Sequence, residues 1–460
     1  MKKHKFFSFI LIISFIFSIF TVPASAVDQP YIEARAAILV NAETGEVYYE
    51  MNADTVLPPA SITKIMTALL AFEAIERGEI SLDDMVTASS TSHNDLTLDG
   101  SSQNIIPGET MNLEDLLYCM LVSSANEACN IIGEHITGGS ISQFIKLMNS
   151  RAKELGCSNT NFVNAHGLPA DQQYTTARDI SLIAAAALKH PVFVGIVNTV
   201  YKEIGPTNKA DSRYLMTTNY LINPDRSKYY FSEARGIKTG STEAAGQCLA
   251  SYLIKDDVIV ISVLLGCEVA ESEDGSTEVK SFTQTKKLMQ WFLDNYSMKN
   301  VISTTDLICE VPVDMAAGTD SVVVRPQENV SMLLPNDIDP AILQRSHTIF
   351  SQQEGASPLL APVNTGDVLG EIHFTYNGET YGPVPLVANT SVELSKLAHM
   401  KSEIQNTLNK TWVKWLIVGL IVIIVLYFAF IIRYNTIRRR RRKAAREAAK
   451  RSATKIDPFK

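Results

Sequence analysis

A long apolar segment near the C-terminus places the strongest constraint on what this chain can fold into. Residues Trp412–Ile432 are apolar apart from Lys414. A helix of that length crosses about 30 Å of hydrocarbon, since each helical residue rises ~1.5 Å. Six consecutive cations follow, Arg438–Lys443, and the cytoplasmic flanks of membrane helices are rich in Lys and Arg. The sequence therefore predicts a transmembrane helix at residues 412–432 and a basic cytoplasmic tail at residues 433–460.

The first 26 residues have the pattern of an export signal. Three lysines precede the apolar run Phe6–Phe20, and Ala24-Ser25-Ala26 has the small residues of a signal-peptidase site. We expect residues 1–26 to be cleaved, and an uncleaved membrane anchor is the alternative. The two ends together place the intervening chain outside the membrane.

The body of the chain is strongly acidic. The whole chain has a net charge of −8, but residues 27–410 contain 25 basic and 47 acidic residues, a net charge of −22. Such a body repels phosphate backbones, so we exclude nucleic acid as a partner. With 46% hydrophobic and 20% charged residues, the composition also excludes a disordered or collagen-like chain.

Neither a metal ion nor an organic cofactor is expected. The six cysteines contain no Cys-x-x-Cys pair, and no histidine stands at a zinc-site spacing. Most cysteines lie in apolar runs such as Leu264–Cys267, so we interpret them as small buried hydrophobic residues. An exported location also permits disulfides, whose pairing the sequence leaves open.

The order of predicted elements indicates an α+β domain over residues 27–298. Two short alternating strands open it, an apolar helical run follows at Ser61–Arg77, and further helical segments occupy residues 113–189. From Gly236 the apolar period changes to two, which predicts antiparallel strands, before a last helix at residues 282–296. A helical cluster between an opening hairpin and closing strands predicts that both ends of the domain build one antiparallel sheet.

A second, all-β domain is predicted over residues 299–393. Its segments are short and alternating, with turn residues between them, and Asn377-Gly378 is a strong hairpin signal. We expect a β-sandwich that contains no nucleophile or acid–base pattern. Residues 394–411 then predict a helical connector into the membrane.

Ser61 and Lys64 form the first candidate catalytic pair. In Ser61-Ile62-Thr63-Lys64 a hydroxyl and an amine stand three residues apart, on one face of a predicted helix. Pro58-Pro59 places Ser61 at the helix N-terminus, where free N–H groups favour developing negative charge. Serine needs a base to remove its proton, and lysine serves as one only when burial or a neighbouring cation lowers its pKa. Taken alone, the pair fits a helix cap with a nearby lysine better than it fits a catalytic pair.

Two further motifs follow in order along the chain. Ser124-Ala125-Asn126 comes after an apolar helical run, and Lys238-Thr239-Gly240 lies on a predicted strand. Ser-x-x-Lys, Ser-x-Asn and Lys-Thr-Gly in this order are the signature of the active-site-serine penicillin-recognising enzymes. Ser92-His93-Asn94 also fits the middle pattern, but it lies in a polar loop region rather than at a helix junction. We therefore prefer Ser124.

Each residue type in these motifs suits a step of acyl transfer. Lys238 supplies a cation for a substrate carboxylate, and Thr239 adds a hydrogen bond. Ser124 can relay a proton from Lys64 to the leaving amine, whereas Asn126 can hold the substrate's amide. Glycine lets a substrate approach the strand closely, beside two N–H groups that can form an oxyanion hole. The predicted catalytic residues are Ser61, Lys64 and Ser124; the substrate-binding residues are Asn126, Lys238, Thr239 and Gly240; and the oxyanion-hole N–H groups are those of Ser61 and Ser241.

Longer stretches support a family resemblance. The chain resembles the low-molecular-mass penicillin-binding proteins, the D-alanyl-D-alanine carboxypeptidases, over nearly all of residues 30–390. The stretches that carry the resemblance in the first domain are Pro59–Lys64, Leu121–Ala128, Asn161–Leu168, Thr176–Asp179 and Gly236–Gly240. Those in the second domain are Ala361–Val363, Gly370–Ile372 and Gly382–Val387.

The resemblance implies a fold, an activity and a location. The fold is the penicillin-binding-protein/β-lactamase-like α+β domain, followed by a small all-β domain. Ser61 is acylated by the penultimate D-alanine of a peptidoglycan pentapeptide, the terminal D-alanine leaves, and water frees the enzyme. β-Lactam antibiotics are then covalent inhibitors. The enzyme lies in the bacterial cell membrane as a single-pass protein, with its catalytic domain on the extracytoplasmic side and its C-terminus in the cytoplasm.

Three features depart from the family pattern. Ser241 stands where relatives more often have a ring-bearing side chain, which leaves substrate preference open. Ala165 precedes His166 in place of the usual proline, and we interpret this histidine as a structural loop residue. Many relatives also end in an amphipathic helix on the membrane surface, whereas this chain is predicted to cross the membrane.

Two alternative functions remain. A class A-like β-lactamase of the same fold needs a deacylating glutamate, usually in Glu-x-x-Leu-Asn, and the sequence contains none between the second and third motifs. A catalytically idle penicillin-binding sensor is a third interpretation, but all motif residues are intact and the 28-residue tail is too small for a signalling domain. Whether the enzyme also cuts cross-links, when in growth it acts, and its oligomeric state stay open.

Overall fold

A computed structural model of the chain describes residues 28–97, 100–271, 277–376 and 379–453. The predicted export signal and the Asn377-Gly378 turn lie outside these residues. The described residues form two units, one of residues 28–298 with 333–338 and the other of residues 299–332 with 339–453.

The first unit is built on antiparallel strands. They are β1 (Ala36–Asn41), β2 (Val47–Met51), β3 (Met85–Thr87), β4 (Thr110–Asn112), β5 (Tyr201–Ile204), β6 (Arg213–Met216), β7 (Arg235–Thr242), β8 (Gly246–Lys255), β9 (Val258–Cys267), β10 (Val269–Glu271) and β11 (Thr277–Val279). Five of them form one sheet in the order β2-β1-β9-β8-β7, so β7 lies at an edge. β1 pairs with β9, with Ala36 opposite Leu265. The two ends of the domain therefore build one sheet, as predicted.

Helices of the first unit lie between β2 and β7 and after β11. They are α1 (Lys64–Glu76), α2 (Leu113–Leu121), α3 (Asn126–Ile136), α4 (Ile141–Glu154), α5 (Ala177–Ala187), α6 (Pro191–Val197) and α7 (Lys280–Asn295), with a 3₁₀ helix at Ala60–Thr63. Asn112, Ser140 and Thr176 cap the starts of α2, α4 and α5, because each side-chain oxygen accepts a backbone N–H from the first turn.

Both faces of the sheet are buried, which explains the nearly continuous apolar run in β9. Ile261, Val263 and Leu265 pack against the helical cluster of α1 to α6. Val260 and Leu264 point to the opposite face and pack against α7. Helices thus cover the sheet on two sides, and its β7 edge is where polar motif residues gather.

The second unit contains a five-stranded antiparallel sheet and the C-terminal helices. The remaining strands are β12 (Tyr296–Ile302), β13 (Cys309–Pro312), β14 (Ser321–Pro326), β15 (Val330–Pro335), β16 (Gln344–Ile349), β17 (Val368–Tyr376) and β18 (Glu379–Ala388). The sheet has the order β13-β14-β18-β17-β16. Helix α8 (Lys396–Asn409) then leads to α9 (Thr411–Ala453). Among the described residues, α9 is the straight helix that is long and apolar enough to cross a membrane.

Several elements of the structure were not expected from the sequence, and β16 and α6 illustrate the reason. β16 has four exposed residues in succession, so it lacks the alternation that identifies a half-buried strand. α6 spans seven residues and begins with Pro191, which is too short to give a helical period. β16 was missed because its side chains are exposed, and α6 because it is short; neither has an unusual composition.

A close backbone contact fixes the turn that precedes α1. Gly167 has a φ of +91°, and a Cβ placed on it would lie 1.9 Å from the carbonyl oxygen of Ala60 and 2.8 Å from Thr63 Oγ1. No side chain fits such a gap. The loop at Gly167 therefore packs directly on the 3₁₀ helix that contains Ser61.

We expect Gly167→Ala to destabilise the first unit much more than Gly156→Ala. Gly156 is also left-handed, with a φ of +86°, but a Cβ there would meet nothing within 4 Å. Its alanine variant should lose only the ~1–2 kcal/mol of a left-handed L-residue. The Gly167 variant adds ~1–3 kcal/mol of overpacking against backbone atoms. Thermal and urea unfolding of the detergent-solubilised full chain measures the difference, and equal losses would contradict the close contact.

Candidate active site

Ser61 lies in the 3₁₀ helix Ala60–Thr63, and the α-helix begins three residues later at Lys64. The sequence placed Ser61 at the start of the α-helix itself. Ala60, directly before it, has a φ of +47°, a region that alanine rarely occupies. Backbone strain of this kind persists only where the surrounding packing imposes it. The half-buried Ser61 is thus presented on a tight, strained turn.

Lys64 is fully buried, and its ammonium nitrogen contacts three oxygens. Nζ lies 2.8 Å from Ser61 Oγ, 2.7 Å from Asn126 Oδ1 and 2.8 Å from the carbonyl oxygen of His166. Burial lowers the pKa of Lys64 to about 8, while Cys129 and Glu127 act in the opposite direction. The structure therefore joins the first motif to the second through one nitrogen atom.

Lys238 is the second buried lysine, with 1% of its surface exposed. Its Nζ donates to the carbonyl oxygen of Thr239 at 3.1 Å. Burial lowers the pKa of Lys238 well below its usual value, and the neighbouring Lys64 lowers it further. Neither lysine has a carboxylate within ion-pair distance among the described residues. The site thus contains two buried amines that lack an anion at contact distance.

Ser124 and Asn126 stand at the junction of α2 and α3. Ser124 has a φ of +65° and is almost completely buried. The backbone N–H of Asn126 donates to the carbonyl oxygen of Ser101 at 2.9 Å. Because Asn126 Oδ1 accepts from Lys64, the side chain orients the lysine in this structure. Within the described residues no hydrogen bond joins Ser124 Oγ to Lys64 Nζ, whose three contacts lie elsewhere.

The third motif forms the edge of the sheet beside Ser61. A Cβ on Gly240 would lie 3.0 Å from the backbone nitrogen of Ser61, so glycine allows β7 to pack directly on the 3₁₀ helix. Thr239 Oγ1 lies 2.6 Å from Thr218 Oγ1, and Ser241 Oγ accepts from Gln247 Nε2 at 2.8 Å. The edge therefore presents hydroxyl groups on either side of a glycine.

A cavity of about 250 Å³ connects the motif residues. It is lined by Ser61, Ser101, Ser124, Thr218, Tyr220, Thr239, Gly240, Ser241, Gln247, Cys248, Val279, Ser281 and Phe282. Lys64, Asn126 and Lys238 lie buried beneath this lining. No acidic side chain is present among these lining residues of the described chain. The structure thus brings all the predicted motif residues to one place.

Several lining residues escaped the sequence analysis. Thr218 follows β6 and belongs to no recognised pattern, yet it contacts Thr239. Tyr220 stacks on Phe282 with 5.1 Å between ring centroids, and together they form an aromatic side of the cavity. Only the folded chain brings these segments to the Lys-Thr-Gly strand, so no local sequence signal identifies them.

His166 acts through its backbone rather than its ring. Its ring Nδ1 accepts the N–H of Leu168 at 3.2 Å, and Nε2 is buried without a partner among the described residues. Burial and the neighbouring Lys64 lower its pKa to about 3, so the ring is neutral at physiological pH. The carbonyl oxygen that holds Lys64 is the contribution of this residue to the site.

The cysteines and the other potential metal ligands form neither disulfides nor a metal site among the described residues. All six cysteines are free thiols, and five of them are buried. In the described ranges no group of three or more His, Cys, Asp or Glu residues is arranged to hold a metal ion. The polar groups that the motifs bring to the site are serines, lysines and backbone N–H groups.

Comparison with known proteins gives a consistent result. Residues 23–269 match a family model described as D-alanyl-D-alanine carboxypeptidase. The chain is 30% identical to D-alanyl-D-alanine carboxypeptidase DacC of Escherichia coli K12, over 80% of this chain and 86% of the relative. It is 29% identical to D-alanyl-D-alanine carboxypeptidase DacF of Bacillus subtilis 168, over 78% and 86%.

Solved structures extend the similarity to the fold. Penicillin-binding protein 5 of Haemophilus influenzae superposes with a TM-score of 0.59 at 25% identity, over 80% of this chain and 99% of the other. A peptidoglycan synthesis regulatory factor (PBP3) of Streptococcus pneumoniae gives 0.60 at 25% identity, over 79% and 100%. The α+β domain, the all-β domain and the long apolar helix are those that the sequence predicted. Motifs, site geometry and overall similarity agree, and the chain belongs to the D-alanyl-D-alanine carboxypeptidase family of penicillin-binding-protein homologues.

Proposed function

We propose that this enzyme removes the terminal D-alanine from peptidoglycan stem peptides through an acyl-enzyme on Ser61. The single observation that carries the proposal is the 2.8 Å contact between Lys64 Nζ and Ser61 Oγ in a buried site. It supplies a nucleophile together with the base that a serine needs.

The contacts of Lys64 suit the neutral amine. A neutral amine has two N–H donors and one lone pair. The donors point to Asn126 Oδ1 and the carbonyl oxygen of His166, which leaves the lone pair to accept the Ser61 hydroxyl. Burial lowers the pKa of Lys64 to about 8, so a usable fraction is neutral near physiological pH. Lys64 is then the general base that activates Ser61.

The close packing of β7 on the 3₁₀ helix supports an oxyanion hole. Gly240 lies beside the backbone nitrogen of Ser61, and Ser241 is the next residue along the strand. The backbone N–H groups of Ser61 and Ser241 would donate to the oxygen of the tetrahedral intermediate. Loss of one such donor typically costs ~10²–10³-fold in kcat, so this backbone arrangement contributes strongly to the rate.

Lys238 and Thr239 are proposed to bind the free carboxylate of the terminal D-alanine. Thr239 Oγ1 lines the cavity with Thr218 Oγ1 beside it, and Lys238 supplies positive charge from below. A substrate carboxylate offsets the cost of burying that charge, because it provides the anion that the site lacks. This arrangement explains why the enzyme acts on a peptide terminus.

The proposed reaction has two steps, acylation of Ser61 and hydrolysis of the resulting ester. Ser61 Oγ attacks the carbonyl carbon of the penultimate D-alanine while its proton passes to Lys64. The C–N bond breaks, and the nitrogen of the leaving D-alanine receives that proton, with Ser124 as the proposed relay. Water next attacks the ester, and its proton replaces that of Ser61. A β-lactam enters by the same attack, but its leaving nitrogen stays attached after the ring opens.

The two alternatives are less well supported than the carboxypeptidase. A β-lactamase that uses a carboxylate for deacylation needs an acidic side chain in the cavity, and the described lining contains none. A penicillin-binding sensor also needs an activated serine in order to be acylated, so the contact between Lys64 and Ser61 does not distinguish it from an enzyme. The similarity to D-alanyl-D-alanine carboxypeptidases favours the enzyme, and release of D-alanine from a peptide separates the two. We therefore retain the carboxypeptidase as the proposed function.

We expect Ser61→Ala to abolish both D-alanine release and covalent penicillin labelling, with a loss of at least ~10⁴-fold in turnover. Ser92→Ala is the matched control, since it removes a buried serine from the competing Ser-x-Asn pattern and should keep both activities. Release of D-alanine from a synthetic pentapeptide and gel fluorescence of labelled penicillin are the measurements. Labelling that survives in Ser61→Ala would place the nucleophile elsewhere, with Ser124 as the next candidate.

The value of kcat/KM should rise with pH, and the midpoint of this rise, the acid limb of the pH profile, should lie near pH 8. Below its pKa, Lys64 is protonated and no longer accepts the Ser61 proton; above it, the neutral base is fully available. The dependence of kcat/KM on pH between 5 and 10 reports this group in the free enzyme. A limb at the usual lysine pKa, or one at the usual histidine pKa, would contradict Lys64 as the base.

The membrane arrangement is the last part of this proposal. The long apolar helix α9 is fit to anchor the chain in a membrane. We propose that the catalytic domain lies outside the bacterial cell membrane and that the tail lies in the cytoplasm. Arg438–Lys443 supports this orientation, because cations are much denser after the apolar part of α9 than before it, where Lys410 and Lys414 are the nearest ones.

Protease added to intact cells should digest the catalytic domain and spare a tag fused after Lys460. Permeabilised cells are the control, in which both parts become accessible. Immunoblotting of the tag and of the catalytic domain reads out each side. A tag digested from outside intact cells would reverse the proposed orientation.

A further inference from the structure

Glu127 is a fully buried carboxylate with no role in the mechanism above. It follows Asn126 in the first turn of α3. Its Oε1 accepts from Ser102 Oγ at 2.8 Å and from the backbone N–H groups of Gln103 at 2.7 Å and Ile105 at 3.4 Å. Its Oε2 is buried without a partner among the described residues. A carboxylate oxygen in that state is costly unless a positive charge stabilises it.

The positive charge is available in the active site. Lys64 and Lys238 are both buried, and their Nζ atoms contact only neutral oxygens in the described chain. Glu127 raises the pKa of Lys64, against the lowering caused by burial. Glu127 directly follows Asn126, whose Oδ1 accepts from Lys64 Nζ, so the unpartnered carboxylate oxygen and the lysine belong to the same buried region.

The other titratable groups that face Lys64 do not supply an anion. Lys238 faces it from β7 and is itself a cation or a neutral amine. Burial raises the pKa of Cys129, on α3, to about 11, and burial lowers that of His166 to about 3. Cys119 of α2, which faces Glu127, has its pKa raised to about 12 by burial. At the pH where Lys64 titrates, both thiols and the imidazole are neutral.

We propose that Glu127 is a positioning residue for the reaction, which holds residues 102–105 beside Asn126 with one oxygen and balances the charge of Lys64 with the other. The proposal rests on the role of Lys64 given under the proposed function. Ser101 directly precedes the segment that Glu127 holds; it lines the cavity and accepts the N–H of Asn126. One side chain thus fixes both a wall of the cavity and the protonation of the base beneath it.

The sign of the effect follows from electrostatics. An anion near Lys64 favours its protonated form, so removal of the charge lowers the pKa of Lys64. The neutral base then becomes available at lower pH, and the acid limb of the rate moves downward. A residue that only supported the loop would change the height of the profile and leave the position of its limb unchanged.

Glu127→Gln tests the charge while it keeps an Oε1 acceptor and nearly the same shape. The measurement is the second-order rate of acylation by a fluorescent penicillin, from pH 5 to 10, on the detergent-solubilised full chain. We expect the acid limb of Glu127→Gln to move down by about 1 pH unit, the low end of the effect of one nearby charge. At a pH below the acid limb, we compare each protein's acylation rate as a fraction of its own plateau rate. This fraction should be several-fold higher for Glu127→Gln than for the wild type.

Two further variants keep the test decisive. Glu134→Gln is the matched control, because Glu134 is also buried on α3, holds Ser89 and Thr91 at 2.6 Å, and is not among the groups that shift the pKa of Lys64. The acid limb of Glu134→Gln should stay at the wild-type pH.

Glu127→Asp retains the negative charge, so its acid limb should also stay at the wild-type pH even if its plateau rate falls. This variant still tests the proposal if Glu127→Gln does not fold.

Each outcome has a definite meaning. A limb that stays in place in Glu127→Gln, one that moves equally in Glu134→Gln, or one that moves in Glu127→Asp would overturn the proposal. Absence of acylation in the wild type would instead contradict the proposed role of Ser61 and Lys64. The two failures are therefore distinguishable in one data set.

Discussion

The Lys64 amine is the contact on which the rest of the site depends. Its Nζ lies 2.7–2.8 Å from oxygens of Ser61, Asn126 and His166, which come from segments far apart in the sequence. A buried amine with three hydrogen-bond partners in place has no alternative orientation, because any rotation leaves polar atoms unpaired. The turn before α1, the start of α3 and the loop after α4 are consequently positioned by the same atom. The orientation of the nucleophile is a property of the whole α+β domain.

Conformational strain accompanies this arrangement. Ala60 and Ser124 both adopt left-handed backbone conformations. Ala60 directly precedes Ser61, and Ser124 is itself a motif residue. Such conformations cost ~1–3 kcal/mol apiece and are found where function requires them. Two buried lysines without an anion at contact distance add to the cost. The domain that surrounds the site therefore contributes the packing that maintains an otherwise unfavourable local structure.

Local patterns predicted most of the fold, whereas long-range contacts escaped prediction. The strands predicted at residues 36–41, 236–240, 247–254 and 258–266 lie within two residues of β1, β7, β8 and β9. Each is a short, mainly apolar segment flanked by turn residues, which explains the agreement. β16 escaped because its side chains are exposed. The three motifs were recognisable since each is short and contiguous. Their spacing does not show that Lys64 contacts the His166 carbonyl, because that contact joins residues 102 positions apart.

The same distinction applies to the cavity wall. Thr218 and Tyr220 come from a segment without a recognisable pattern, and Gln247 lies at the start of the predicted strand β8. Only the folded sheet and the β5–β6 hairpin bring all three to β7. Gly167 has a clear structural reason, but its neighbour Ala60 is 107 positions away, so the sequence alone does not reveal the contact. The roles of the individual site residues stay predictions, supported by geometry that the motifs alone do not give.

The position of β7 at the edge of the sheet has a consequence for solubility. An edge strand leaves backbone N–H and C=O groups unpaired, and proteins usually block such edges with a proline, a charge or a covering segment. A covering segment over Thr239–Ser241 would close the cavity that these residues line. The row of groups available to the backbone of a peptide is equally available to an extended strand from another molecule. Most of β7 is closed to such a strand, because residues 236–238 and Gly240 are buried and the backbone of Gly236 pairs with Asn198 and Asn219, which limits self-association through this edge.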